Sequence, residues 1–484
     1  MDARSSILLR RDALIDGLWV EADGGVRFPV QDPATGETLG DVPDMGAAET
    51  RRAILAAARV FPVWRATPAE ERAKIMRRWF ELILADAERL AQIITAEQGK
   101  PLAEARGEIA YAASYIDWFA AEGRRVYGDI LPILADGRRQ LVFKQPIGVV
   151  AAITPWNFPS AMFARKVGAA LAAGCTMVLK PAEQTPFSAL ALADLAMSAG
   201  VPAGVVNVVT ANNPAPVGQE LTQNPLVRKI SFTGSTAVGK ILLRQGAENV
   251  QKCSMELGGN APLIVFADAD LDLAVTGAIA TKYRNSGQTC ISANRLLVHE
   301  SLIGTFSARL AARVSELRVG DGREEGVVVG PLIEEAAVEK CERHVADAVA
   351  RGAKLLLGGA RHKLGGTFFE PTVLEGVSED ALIFSEETFG PIAPIASFAD
   401  EAEALRLANA TTSGLAAYFY SRDLSRIFRV AEALDFGMVG VNETRISSEI
   451  APFGGMKQSG LGREGSRYGI DDYLEIKYVC LGGM

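Results

Sequence analysis

The sequence predicts an α/β protein built from two parallel-sheet units and a small β arm, and three observations predict it. Four short apolar runs, Gly148 to Ile153, Thr176 to Leu179, Val205 to Val209 and Lys229 to Phe232, recur about 25–30 residues apart with Ala-rich helical segments (162–173, 187–199 and 215–222) between them. That is the spacing of βαβ units. A second series of strand-like runs extends from about Ala261 to Phe453. Two stretches belong to neither series: Gln140 to Lys144, after the Asp136-Gly137 turn, and Leu474 to Cys480. Both read as strands whose edges need partners, and they point to an oligomerisation arm.

Ahead of the first sheet, residues 46–123 read as helical. One run opens at Gly46-Ala47-Ala48 and continues through Ala58, a second starts at Pro68-Ala69-Glu70-Glu71, and a third spans Leu102 to Phe119, each with apolar residues at helical spacing. In the second unit, strands are predicted at Leu263 to Phe266, Arg295 to Val298, Lys354 to Leu357, Phe369 to Val373, Ile392 to Phe398, Ala417 to Tyr420 and Met438 to Asn442. The expected organisation is a dinucleotide-binding domain from residues 1–123 and 147–256, a catalytic domain from 257–465, and the arm from 124–146 and 466–484.

Composition narrows the function. With 484 residues, 49% hydrophobic and 22% charged, the chain has material for a large core and is not globally disordered. A net charge of −8 argues against a nucleic-acid partner, which wants a basic patch. No apolar run approaches the ~18 residues of a membrane span. Charges at Asp2, Arg4, Arg10, Arg11 and Asp12 around the short Ile7-Leu8-Leu9 run do not make a signal peptide. A soluble cytoplasmic protein is expected. The five cysteines are odd in number and widely spaced, so reduced thiols are expected. The three histidines have no Cys or His neighbours at ligand spacing, so no metal is expected.

Several motifs carry chemistry. Tyr283-Arg284-Asn285-Ser286-Gly287-Gln288-Thr289-Cys290 offers a thiol in a small, polar loop, and Met255-Glu256-Leu257-Gly258-Gly259-Asn260 offers a carboxylate able to serve it. Phe232-Thr233-Gly234-Ser235 through Lys240 follows a strand and opens a helix, where backbone N–H groups hold phosphate oxygens. It imitates a P-loop, but Ile241 stands where a magnesium-binding hydroxyl is needed. Lys180-Pro181-Ala182-Glu183 ends the second strand, in reach of ribose hydroxyls if a dinucleotide binds there. Pro155-Trp156-Asn157-Phe158-Pro159 ends the first, and its two prolines pin a loop that can aim the Asn157 amide at an oxyanion. Taken one at a time these motifs also read as glycine turns, loop ion pairs, an Asx-turn or core packing. In parallel sheets, ligands bind at the carboxyl ends of strands.

The joint order of the motifs resembles the aldehyde dehydrogenase superfamily. The elements are PWNFP at 155–159, KPAEQTP at 180–186, FTGSTAVGK at 232–240, MELGG at 255–259, GQTC at 287–290, EETFGP at 386–391 and PFGGMKQSGLGREG at 452–465. The resemblance implies a Rossmann-like cofactor domain, an α/β catalytic domain and a small β oligomerisation arm. It implies Cys290 as nucleophile, Glu256 as general base, and Asn157 with the Cys290 N–H as oxyanion hole. Trp156, Lys180, Glu183, Gly234, Ser235 and Leu257 match cofactor-contacting positions, and Glu387 and Phe389 match those that seat the nicotinamide ribose. Within the superfamily the chain looks most like succinate-semialdehyde dehydrogenases. Arg165, Arg284 and Ser447 match that group's binders of the substrate's distal carboxylate, a role that suits the bidentate fork of arginine.

The resemblance therefore implies oxidation of succinate semialdehyde to succinate, or of glutarate semialdehyde as the alternative, by a homo-oligomer, dimer or tetramer. Glu183, where some NADP-using relatives have a small residue, points to NAD, with NADP possible. Ser292 stands where many semialdehyde members carry a second cysteine, which removes a redox disulfide with Cys290. Arg445 stands where an apolar residue is expected at the substrate entrance, either favouring more acidic substrates or facing solvent. A CoA-acylating relative would lack a carboxylate at position 256, and a non-enzymatic relative would have a degraded site.

Overall fold

Asp16 and Gly17 both take positive φ, 55° and 76°, so β1 (Ala13–Ile15) and β2 (Leu18–Val20) close as a two-residue hairpin. The Asp-Gly pair between apolar residues is the sequence signal for it. These coordinates come from a computed structural model that describes residues 9–133 and 137–483; Asp2, Arg4, Ile7, Leu8 and Asp136 lie outside the described residues. A second hairpin, β3 (Arg27–Gln31) and β4 (Thr38–Pro43), stands apart.

Four helices follow: α1 (Ala47–Ala66), α2 (Ala69–Ala85), α3 (Ala87–Gln98) and α4 (Leu102–Glu122). The Glu49 carboxylate accepts from the Gly46 N–H (3.0 Å) and starts α1. That helix runs past Ala58 through Pro62, and α3 is a further helix beyond the three predicted.

After β5 (Asp129–Ile130) and β6 (Arg139–Pro146) comes the first parallel unit: β7 (Val149–Ile153), α5 (Pro159–Ala173), β8 (Thr176–Lys180), α6 (Pro186–Ser198), β9 (Val206–Val208), α7 (Pro214–Gln223), β10 (Val227–Thr233), α8 (Thr236–Gly246) and β11 (Lys252–Glu256). The second unit comprises β12 (Ala261–Val265), α9 (Leu271–Lys282), β13 (Ala293–His299), α10 (Ile303–Val314), α11 (Glu335–Ala350), β14 (Lys354–Leu357), β15 (Thr372–Glu375), α12 (Leu382–Ser385), β16 (Ile392–Phe398), α13 (Glu401–Asn409), β17 (Ala416–Tyr420), α14 (Leu424–Ala433) and β18 (Met438–Val441). The chain ends with β19 (Gly460–Leu461) and β20 (Leu474–Leu481).

The first sheet has the order β19-β11-β10-β7-β8-β9-β1-β2, parallel from β7 to β11. The second runs β14-β15-β16-β13-β12-β17-β18 and is parallel except at β14. Strands β8, β12 and β17 are buried at every residue, as expected where helices cover both faces. β15 begins at Thr372, later than predicted: Pro371 has no N–H for the ladder, and Phe369 makes only an isolated bridge to Arg361. The two predicted arm strands satisfy each other, with β6 and β20 pairing antiparallel from Leu474↔Pro146 to Leu481↔Arg139. Among the described residues, no strand pairs with the outer edge of β20.

Candidate active site

Motifs from the first sheet arrive at strand ends, as expected: Asn157 after β7, Lys180 closing β8, Gly234 after β10 and Glu256 closing β11. Cys290 and Glu387 come from the opposite direction. Each precedes its strand, β13 and β16, so the carboxyl ends of one sheet face the amino ends of the other. Two glycines permit that approach. A Cβ on Gly259 would lie 2.2 Å from the Cys290 carbonyl oxygen, and one on Gly258 would lie 2.7 Å from Glu387 Oε2. The Gly259 N–H then donates to Glu387 Oε1 (3.0 Å).

The cysteine loop is held against its own strain. Asn285 and Ser286 take left-handed φ of 50° and 56°, which costs about 1 kcal/mol or more per L residue. Asn285 Nδ2 donates to the carbonyls of Asn157 (3.1 Å) and Gln288 (3.2 Å), and Ser286 Oγ donates to Gly330 O (2.9 Å). The Gln288 side chain accepts from the Ile333 N–H (3.0 Å). Asn157 Nδ2 donates to Gln288 O (3.1 Å), which fixes the amide plane and leaves its second N–H for a ligand.

Beneath Asn157 lies a buried ion pair. Lys100 Nζ donates to Glu108 Oε2 (2.6 Å) and to Asn157 O (2.7 Å) and sits 3.8 Å from the Phe158 ring centroid. Glu108 Oε1 accepts from the Ser160 and Ala161 N–H groups at the start of α5 (2.9 and 3.2 Å). Losing one partner alone would leave an uncompensated buried charge, at a cost of about 3–5 kcal/mol.

Two cavities meet at Cys290. The one of 430 Å³ is lined by Trp156, Asn157, Gly234, Ser235, Glu256, Leu257, Glu387 and Phe389, among others. Trp156 and Phe389 meet edge to face, centroids 5.5 Å apart, with Phe389 at φ 56°. Ser235 Oγ caps α8 by accepting from the Val238 N–H (3.3 Å). Lys180 and Glu183 lie off this cavity. Lys180 Nζ donates to Pro181 O (2.8 Å) and Glu183 Oε2 (3.1 Å), and Glu183 lines an adjoining 560 Å³ cleft that shares Ile333 and Glu334 with it. The residues fit a dinucleotide: Gly234 and Ser235, the cap of α8, line the cavity at a helix start, and Thr233 Oγ1 is buried with no partner among the described residues.

The second cavity, 280 Å³, contains Arg165, Arg284 and Ser447 together with Tyr111, Phe158 and Phe453. Arg165 is buried, stacks 4.0 Å from the Phe453 centroid and donates through Nη2 to the Tyr111 hydroxyl, while its Nε has no partner among the described residues. Glu464 is its only carboxylate neighbour among the described residues, 3.7 Å away and more closely paired to Lys166 (2.6 Å). Arg284 is exposed and stacks 5.1 Å from the Phe158 centroid. Arg445 is exposed and lines neither cavity.

Burial dominates the titration of this centre. It pushes the Cys290 thiol up to about 12, with Glu387 adding to the rise and Arg165 opposing it. Burial also holds Glu256 well above the usual carboxylate range, reinforced by Glu464 and opposed by Lys166 and Arg165. Glu387 is pushed up to about 7 by burial and drawn back by the Gly259 N–H. Among the described residues there is no cluster of three or more His, Cys, Asp or Glu able to hold a metal, and no helix is long and apolar enough to cross a membrane.

Sequence reasoning missed Lys100, Glu108 and Tyr111. The available signal is a charged residue on an apolar stripe, since Glu108 shares the buried face of α4 with Ala105, Ala112 and Tyr115.

Residues 19–479 match the aldehyde dehydrogenase family, and the chain belongs to it. It is 60% identical to a glutarate-semialdehyde dehydrogenase of Pseudomonas aeruginosa, over 100% of both chains. It is equally 60% identical to the NADP(+)-linked succinate-semialdehyde dehydrogenase of Escherichia coli, again over 100% of both. A solved succinate-semialdehyde dehydrogenase of Burkholderia pseudomallei superposes with a TM-score of 0.97 at 63% identity, over 98% of each chain.

Proposed function

We propose that this chain oxidises a short aldehyde bearing a remote carboxylate, succinate semialdehyde first, to the corresponding acid with NAD(P). The observation that carries the reading is the 280 Å³ cavity, which has Cys290 on its wall together with the under-partnered Arg165 and the exposed Arg284. A guanidinium buried without a full set of acceptors suits a carboxylate supplied by the substrate.

In this reading the Cys290 thiol gives up its proton to solvent and the thiolate attacks the aldehyde carbonyl, while the free Asn157 N–H and the Cys290 N–H hold the oxyanion. Bound NAD(P) supplies a hydride acceptor. The acyl group is left as a thioester on Cys290; Glu256, in its ionised form, takes a proton from water, the resulting hydroxide attacks the thioester, and the acid departs as the C–S bond breaks and Cys290 leaves as thiolate. In support of these steps, Asn157, Glu256 and Cys290 all line the 430 Å³ cavity. The first-sheet unit would bind the cofactor and the second would carry the nucleophile. Homo-oligomers would form through the open edge of β20, where Ile476 and Tyr478 are exposed. The unpaired state of all five cysteines suits the cytoplasm.

The deciding experiment is an NAD(P)H-absorbance screen over succinate semialdehyde, glutarate semialdehyde and unsubstituted aliphatic aldehydes with both cofactors. The acid semialdehydes should exceed the unsubstituted ones in kcat/KM by about 10²-fold or more, as expected when a site built for a polar group meets a substrate that lacks it. Equal rates for both classes would refute the substrate class. One methylene is worth only about 1–3 kcal/mol, so glutarate semialdehyde should also turn over.

For the cofactor we propose NAD, because the Glu183 carboxylate would accept from a ribose hydroxyl and repel a 2′-phosphate. The Escherichia coli relative is named for NADP(+) at the same identity, so overall similarity does not decide the matter. Glu183→Ser should raise the NADP/NAD ratio of kcat/KM by about tenfold or more, roughly the 1.4 kcal/mol of one charge repulsion removed. An unchanged ratio would remove the contact from the reading.

A further inference from the structure

Behind the acid-binding wall, four groups form a one-way hydrogen-bond chain. Arg165 Nη2 donates to the Tyr111 hydroxyl, the Tyr111 and Tyr115 hydroxyls are 2.9 Å apart, and the Tyr115 hydroxyl donates to the Ser448 carbonyl at 3.3 Å. Donor chemistry fixes the direction. A guanidinium only donates and a carbonyl only accepts, and each phenol has one proton. Tyr115 spends its proton on Ser448, so Tyr111 must spend its own on Tyr115. The chain thus links the buried cation to the backbone next to Ser447.

The packing leaves little slack. Tyr111 and Tyr115 lie one turn apart on α4, with rings 5.1 Å apart at 78°. The Arg165 guanidinium lies 5.1 Å from the Tyr115 centroid. On the other side, a Cβ on Gly465 (φ +68°) would come within 3.0 Å of Tyr115 Cε1 and 3.1 Å of Ala451 O, so the ring is wedged against the segment that follows Ser447. Tyr111 lines the cavity, whereas Tyr115 is fully buried behind it.

We infer that Tyr115 is a positioning residue for substrate selection: its hydroxyl, held between Tyr111 and the Ser448 carbonyl, sets how far Ser447 stands from Arg165 and so how well the pocket grips an acid-bearing aldehyde. The inference rests on the substrate reading above. Tyr115→Phe removes one oxygen and keeps the ring, so the packing around Gly465 and Arg165 survives.

The test compares kcat/KM for succinate semialdehyde and for butanal in the wild type, Y115F and Y111F. Y115F should lower the succinate semialdehyde/butanal ratio by about tenfold, the usual size of one lost hydrogen bond to a positioned group. The loss should fall on KM for the semialdehyde rather than on kcat. Y111F breaks the same chain and should lower the ratio too, and the double variant should fall no lower than the worse single, since residues in one network are not additive. A wild type with no preference for the semialdehyde would defeat the substrate reading and this inference with it. A wild type that does prefer it, with an unchanged ratio in Y115F or with equal losses on both aldehydes, would defeat the inference alone.

Discussion

Cys290→Ala abolishes NAD(P)H formation, with a loss of about 10⁴-fold or more, because no second thiol reaches the reacting carbon. Cys290 is the only cysteine on either cavity wall. The next residue but one is Ser292, whose hydroxyl is buried and makes no hydrogen bond to the described residues. The variant should fold. Cys290 is only partly buried, it makes no side-chain hydrogen bond among the described residues, and its loop is pinned by Asn285, Ser286 and Gln288 instead. A melting temperature within a few degrees of wild type, beside absent turnover, is the expected pair of results. Turnover within tenfold of wild type would remove Cys290 from the nucleophile role. Its pH dependence has a definite sign. A thiol pushed up to about 12 is almost wholly protonated at neutral pH. Alkylation of Cys290 by iodoacetamide, without cofactor, should therefore climb about tenfold per pH unit from pH 6 to 9 with no plateau. A plateau near pH 7 would mean that the thiol is activated before cofactor or substrate arrives.

Legibility in the sequence followed how locally each residue's partners are placed. Strands β7 to β10 announce themselves as apolar runs because their neighbours on both faces are apolar helices. β11 does not. Its residues are Lys252, Cys253, Ser254, Met255 and Glu256, and it is a strand because it pairs with β10 (Lys229↔Lys252 to Thr233↔Glu256) and with β19 (Met255↔Leu461), while its Ser254 donates to Asp472 (2.8 Å). Partners that far along the chain leave no periodic trace. The same distinction runs through the site. Cys290, Asn157 and Glu387 sit in short loops, and Glu256 ends β11 just before Gly258-Gly259; the glycines and prolines there are themselves the geometry, so the motifs are visible as text. The wall of the 280 Å³ cavity is not: Arg165 meets Tyr111 and Tyr115 meets Ser448 across separations of 54 and 333 residues. Lys180 and Glu183 are equally legible as a motif, and the pair closes on itself at 3.1 Å with Glu183 on the cleft that adjoins the 430 Å³ cavity.

Glu256→Gln should separate the two halves of the reaction. With the nucleophile intact, the first acyl transfer goes forward and yields a burst of NAD(P)H equal to the enzyme present. The steady rate that follows should drop by about 10²–10⁴-fold, the usual worth of a general base, because water is no longer deprotonated as it attacks the thioester. Stopped-flow absorbance reads both phases. If Glu256 instead served to deprotonate Cys290, burst and steady rates would fall together. Hydroxylamine, which attacks a thioester without a base, should restore turnover in the first case and not in the second. Stability provides an independent check. Both Glu256 oxygens are buried without partners among the described residues, and burial holds its folded-state pKa above the unfolded value. The folded state therefore keeps a proton that the unfolded chain has already lost, and stability falls as pH rises from the ordinary carboxylate range through the raised folded value. Glutamine has no proton to lose. The melting temperature of Glu256→Gln should gain on wild type as pH rises from 5 to 9. A gap that stays constant would show that the carboxylate ionises in the folded protein as freely as in the unfolded one, solvated rather than buried.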